Sequence, residues 1–185
     1  MKAQQYGVLR AMEDRHWWYR VLHGQVMRIL ETNLRRGAEL LDAGCGTGGL
    51  LARVQGTYRV RGCDRSSLAV RHCHDRGLDQ LVIQADVCDL PFPEAEFDAA
   101  LLLDVLYHRE VVVSRALAEL RRVLRRSGLL VVNTAAFQCL YGAHDEAVHG
   151  ARGIARLICA ACWRRRVSKS SMRIIGMHGS FFHSC

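Results

Sequence analysis

Four aspartates and one glycine-rich turn are the residues of this chain best suited to chemistry. Asp42 ends an apolar run, Ala38 to Leu41, and leads into Ala43-Gly44-Cys45-Gly46-Thr47-Gly48-Gly49. Asp64 ends the run Tyr58 to Cys63, Asp86 follows Leu81-Val82-Ile83, and Asp104 follows Phe97 to Leu103. His108 comes shortly after the last of them. A glycine turn between two apolar runs delivers a buried strand to a helix through a loop that a small ligand can approach closely. Some of its positions also require φ > 0, which glycine adopts without strain. Carboxylates beside such a loop accept from hydroxyl and amino donors and favour a cation over an anion. His108 adds a group able to take up a proton near neutral pH.

The elements that must position these residues follow from periodicity. Residues 13–34 read as a helix, with Trp18, Leu22, Val26, Ile29 and Leu30 on one stripe and Gly37 as its stop. The cluster His16-Trp17-Trp18-Tyr19 stands at its start. Trp18 reads as core and Trp17 as its half-buried neighbour; the sharper alternative sets this corner over the ligand or at the substrate entrance, with His16 and Tyr19 as lesser proton acceptors. Ser66 to Arg76 reads as a second helix, with Ser66 as N-cap and Gly77 as stop. Asp89-Leu90-Pro91-Phe92-Pro93 is a loop, because proline disfavours both helix and sheet there. Val113, Ala116, Leu117, Leu120, Val123 and Leu124 line one face of a third helix, and Ser127-Gly128 turns into a strand, Leu129 to Asn133.

Strands of near-continuous Leu, Ile and Val that alternate with helices predict an α/β fold: a doubly wound, mostly parallel sheet covered on both faces. Ligands bind such sheets beyond the carboxyl ends of the strands. All four aspartates fall on that rim.

Composition narrows the class. The chain has 185 residues, half of them apolar, and a formal charge of +8. Residues 1–150 carry 19 Lys and Arg against 18 Asp and Glu, whereas residues 151–185 carry seven cations and no acid. The body is electrically ordinary, so no specific nucleic acid is expected as partner, and the Arg164-Arg165-Arg166 run reads as a solvated tail. No run reaches the about 20 apolar residues that span a membrane, and the first residues lack the apolar core of a signal peptide. A cytoplasmic location without membrane contact is the expectation. Cys45, Cys63, Cys73, Cys88 and Cys139 lie scattered, as reduced thiols do. No metal is expected: His72-Cys73-His74 occupy adjacent helix positions that face different ways, and Cys159-x-x-Cys162 has no second pair.

Two ligands fit the loop. Gly44-x-Gly46-x-x-Gly49 satisfies a dinucleotide fingerprint, and Asp64 lies where a ribose-binding acid belongs, so an NAD(P)-dependent oxidoreductase is the alternative. Asp42 opposes it, because a carboxylate at the end of the feeding strand suits a cation better than a pyrophosphate. Taken together, Asp42-Ala43-Gly44-Cys45-Gly46-Thr47-Gly48, Asp64, Gln84-Ala85-Asp86 and the run Phe97-Asp98 through Leu103-Asp104 to His108 resemble the class I S-adenosylmethionine-dependent methyltransferases, especially their small bacterial type-11-like group. The resemblance covers about Leu40 to Asn133.

It implies a Rossmann-like fold and S-adenosylmethionine as cofactor. Gly44, Cys45, Gly46 and Gly48 would form the loop under it, with Asp42 near its methionine portion. Asp64 would accept from the ribose hydroxyls and Asp86 from the adenine amino group, with Val87 against the ring. Leu103 and Asp104 would floor the site near the reactive methyl. The reaction would be an in-line displacement in which the protein chiefly aligns an unidentified acceptor, a small molecule being favoured. His108 is the candidate base where the nucleophile arrives protonated. The chain then divides into an N-terminal helical cap (1–37), the cofactor domain (38–136) and a post-sheet loop with a basic tail (137–185).

The tail departs from the family. Two more strands are due after the fifth, reached through a helix, and residues 151–185 show no such pattern. Read one base out of frame with free choice of degenerate positions, residues from Arg156 onward encode an amphipathic helix with a glycine stop and then a strand, so a frameshift near 151–156 is inferred. Strand five would be left with an open edge, predicting an aggregation-prone product of weak or no activity, and the disrupted tail supports a further alternative, a non-catalytic cofactor-binding remnant. Arg125-Arg126-Ser127-Gly128 also replaces a turn that is Pro-Gly-Gly in the family.

Overall fold

A computed structural model describes the backbone of residues 3–133, 173–178 and 181–184, and side chains from Tyr6 to Asn133. In chain order the elements are α1 (Ala3–Arg15), α2 (Trp17–Asn33), β1 (Glu39–Ala43), α3 (Gly49–Val54), β2 (Arg59–Asp64), α4 (Ser67–His74), β3 (Val82–Gln84), β4 (Phe97–Leu103), α5 (Val113–Val123), β5 (Leu124–Asn133), β6 (Arg173–His178) and β7 (Phe181–Ser184). The sheet runs β3-β2-β1-β4-β5-β6-β7. Every neighbouring pair from β3 to β6 is parallel, and β7 is antiparallel to β6.

The doubly wound architecture follows from alternation along buried strands. Leu40, Leu101 and Val131 face one layer, where Leu22, Val26, Ile29 and Leu30 of α2 and Leu51 of α3 pack. Leu41, Leu102 and Val132 face the other, with Ala116, Leu120 and Val123 of α5. Among the described residues no helix is long and apolar enough to cross a membrane.

Four expectations change. The third helix ends at Val123 and Leu124 opens β5, so Ser127-Gly128 lie within that strand rather than before it. The helix read over 13–34 is two helices broken at His16, whose extended backbone caps α2 while its Nδ1 accepts from the Trp18 amide at 3.3 Å. Trp17 is 65% exposed rather than half-buried, and Trp18 is half-buried rather than core, because the buried face of α2 is Leu22, His23, Val26, Ile29 and Leu30. The edge of β5 is also not open: Leu129 to Asn133 pair in parallel with Arg173 to Met177. The short run Arg173-Ile174-Ile175-Gly176-Met177-His178 has too little alternation to mark a strand, whereas the ladder that pairs it is made by backbone groups. Impairment through an unpaired β5 therefore loses its basis. The stretch 151–156 where a frameshift is inferred, Cys139, Cys159, Cys162 and Arg164 to Arg166 lie outside the described residues.

Candidate active site

β1 carries Asp42 between Gly62 of β2 and Leu101 of β4. The side chain is 3% exposed. Burial first, and the negative charges of Glu13 and Asp64 second, push its carboxyl up to about 7. Among the described residues no donor offsets them.

The loop that follows is pinned by its backbone. The amides of Gly44 and Cys45 both donate to the Cys63 carbonyl, at 2.8 and 3.0 Å. Gly44 has φ +82°, and a Cβ there would collide with Val105; Gly48 has φ +77°, and its Cβ would meet Leu78 Cδ1 at 2.7 Å. At these two positions glycine is required by backbone conformation and by packing against the protein itself, and not only by approach to a ligand. The Cys45 thiol is buried, and its hydrogen bond with Cys73, then desolvation, push it well above the ordinary range. Cys73 itself turns inward and donates to the Gly46 carbonyl at 3.4 Å, while His72 and His74 lie near Asp75 and Asp79.

Asp64 holds the loop to the next element. Its Oδ2 accepts from the Gly46 amide at 3.0 Å and its Oδ1 from the Ser66 amide at 2.9 Å. Burial nevertheless raises its carboxyl above the ordinary value. At the end of β3, Asp86 Oδ1 accepts from the Cys88 amide at 2.8 Å, and Val87 is buried in the layer that holds Leu90 and Phe92. Past β4, Asp104 has φ +56°. Its amide donates to the Asn133 carbonyl at 2.9 Å and its Oδ1 accepts from Asn133 Nδ2 at 2.8 Å. Burial outweighs that bond and lifts its carboxyl to about 6. Leu103 beside it is half-buried. His108 lies in the loop beyond, its amide on the Val105 carbonyl at 3.1 Å and its ring 4.6 Å from that of Tyr107.

The structure thus brings Asp42, Asp64 and the glycine loop together and sets Asp104 on the same rim. The lesser base candidates fare differently. His16 spends its Nδ1 as a helix cap. Burial, then the charges of Glu13 and Asp104, push the Tyr19 phenol up to about 12, so it resists losing its proton.

Sequence reasoning missed Glu13 and Arg76. Glu13 is 6% exposed, and its Oε2 accepts from Thr47 Oγ1 at 2.6 Å, the Gly49 amide at 2.9 Å and Arg76 Nη2 at 3.1 Å. Their separation of 63 residues leaves no local signal in the sequence. This contact also bears on the dinucleotide alternative: the Gly49 amide, where a pyrophosphate would sit, already serves a carboxylate. What the rim can accept is a cation carrying hydroxyl and amino donors.

A doubly wound sheet with a glycine loop after β1 and carboxylates along its C-terminal rim defines the class I methyltransferase fold. Residues 41–132 match the family model for a methyltransferase domain. A tRNA (carboxymethyluridine(34)-5-O)-methyltransferase of Arabidopsis thaliana is 36% identical over 110 residues, 58% of this chain and 26% of that protein. A Mycobacterium tuberculosis protein described as a probable S-adenosylmethionine-dependent methyltransferase is 32% identical over 126 residues, 66% of this chain and 44% of its own length. The crystal structure of the (4+2)-cyclase SpnF superposes with a TM-score of 0.61 at 26% identity, covering 80% of this chain and 58% of that one. Through residues 41–132 this chain belongs to the S-adenosylmethionine-dependent methyltransferases. It spans about a quarter to a half of the length of these two curated relatives.

Proposed function

We propose that the chain binds S-adenosylmethionine at the rim formed by β1, β2, β3 and β4 and transfers its methyl group to an acceptor. The observation that carries this reading is Asp42: a carboxylate buried at a strand end, pushed up to about 7, with no donor among the described residues. A cationic ligand rich in donors relieves that cost, and a pyrophosphate would add to it.

In this reading Asp42 faces the charged methionine portion, and Gly44, Cys45, Gly46 and Gly48 carry the loop beneath it. Asp64 has acceptor capacity beyond its two amide bonds for the ribose, because each carboxylate oxygen offers two lone pairs. Asp86 and Val87 receive the adenine, and Leu103 and Asp104 form the floor. When bound, the cofactor supplies a methyl group already activated by its sulfonium. The chain's own work is to align the acceptor and exclude water, with His108 taking a proton where the nucleophile carries one. Residues 1–37 serve as the cap, 38–136 as the cofactor domain and 137–185 as the terminal segment.

A small molecule is the acceptor we favour, because the charge of residues 1–150 is nearly balanced. A tRNA acceptor is the second reading, favoured by the name of the Arabidopsis relative. Calorimetry with S-adenosylhomocysteine and with NAD⁺ tests the cofactor. Saturable binding of the first alone is expected, and binding of NAD⁺ alone would overturn the assignment. Label transfer from S-adenosylmethionine into small-molecule extract or into tRNA separates the two acceptors.

A further inference from the structure

Helix α1 lies across the residues assigned above to the cofactor. Tyr6 is buried next to Ser66 and Asp64. A Cβ on Gly46 would stand 3.5 Å from Leu9 and 3.4 Å from Glu13. The helix is fastened there by one guanidinium. Arg76 Nε donates to the Thr47 carbonyl at 2.7 Å, Nη1 to Asp14 at 2.9 Å and Nη2 to Glu13 at 3.1 Å. The Arg76 and Glu13 side chains are 8% and 7% exposed.

We propose that α1 is a strap over the cofactor cleft, and that Glu13 and Arg76 are positioning residues whose clasp holds the glycine loop in the form that takes the cofactor. The inference rests on the cofactor reading above and adds two residues to it. Oε2 of Glu13 is the shared point: it accepts from the loop's hydroxyl, from the first amide of α3 and from Arg76. The loop therefore cannot leave this form without breaking bonds to α1, and α1 cannot lift without baring a buried carboxylate and a buried guanidinium. Docking of α1 and ordering of the loop are one equilibrium. A ligand that needs the ordered loop is linked to the docked strap, and each stabilises the other.

The test is S-adenosylhomocysteine affinity by calorimetry, with amide hydrogen exchange along α1, in the full chain and its variants. Wild type is expected to bind and to slow exchange in α1 on binding. Glu13→Gln and Arg76→Met are expected to bind at least tenfold more weakly, with faster α1 exchange before ligand is added. Arg76→Lys should recover part of the affinity. Asp14→Asn, on the exposed side of the clasp, should loosen α1 by a smaller factor and serves where the buried variants do not fold. Variants that fold and bind as wild type does would overturn the clasp, as would α1 exchange indifferent to ligand. A wild type that binds no S-adenosylhomocysteine would instead overturn the cofactor reading itself.

Discussion

At the end of the sheet where β1, β2 and β4 finish, Asp42 is buried and Asp64 and Asp104 are half-buried, and all three carboxyls are raised by desolvation. At the other end, where β4 begins, Asp98 is half-buried, accepts from Arg125 at 2.6 Å and from the Glu39 amide at 2.9 Å. Burial alone would lift its carboxyl, yet Arg125, the amide and the charge of Arg35 together hold it below the ordinary range. Glu119 on α5 is likewise held down, chiefly by its bond to Arg122. The same side chain thus serves two ends. Where it meets arginine it supports the fold, and where burial outweighs its partners, most of all at Asp42, it weakens the free protein, the pattern expected of a ligand site.

The sharpest way to break this contrast is at Gly44, which supports the ligand rim through packing. Gly44→Ala is expected to cost about 2–5 kcal/mol in urea unfolding, from its positive φ and from overpacking against Val105. Adding Val105→Ala should return the collision part only. If the double variant recovers stability in full, the positive φ at Gly44 costs little and packing alone demands the glycine.

Asp42→Asn should move stability and binding in opposite directions. The folded carboxyl keeps its proton up to about 7, whereas the unfolded one sheds it near 4. Between those values the native state holds more protons, so stability falls as pH rises and stays low above the window. The amide removes that fall. At pH 8 the unliganded variant should be more stable than wild type, by at most about 4 kcal/mol, and the two should converge near pH 4. Its S-adenosylhomocysteine affinity should drop, and wild-type affinity should rise with pH through about 7 while the variant's does not. A destabilised variant at pH 8 would show that Asp42 is a structural acceptor.

The smallest effect belongs to the other end. Asp98→Asn should cost only about 1 kcal/mol at pH 7, because the pair with Arg125 is partly exposed. That contribution is present above the ordinary carboxyl value and fades as pH falls through the lowered one, so wild type and variant should melt alike once the pH is below that lowered value. Cofactor affinity should not change.

Much of this arrangement is legible in the chain. Phe97 to Leu103 reads as a strand from its apolar run, and β4 occupies those residues. The carboxyl-end positions of Asp42, Asp64 and Asp104 follow from the same pattern. What sequence hides is whatever depends on partners far apart: the Glu13–Arg76 pair, the Asn133 amide on Asp104, and the backbone pairing of β5 with β6. Glu13 looks like an ordinary polar residue at a helix start, and nothing local shows that it faces inward. Gly44 shows the reverse difficulty: its type is plain, but the neighbour that demands it, Val105, is not.

Asp104 and Asn133 join the floor of the rim to the last residue of β5 through two hydrogen bonds, one of main chain and one of side chain. The carboxyl end of β5 is thereby tethered to the rim. A displacement at the end of β5 would pass to the Asp104 carboxylate through those two bonds, so the outer strands of the sheet have a short mechanical line to the carboxylate rim.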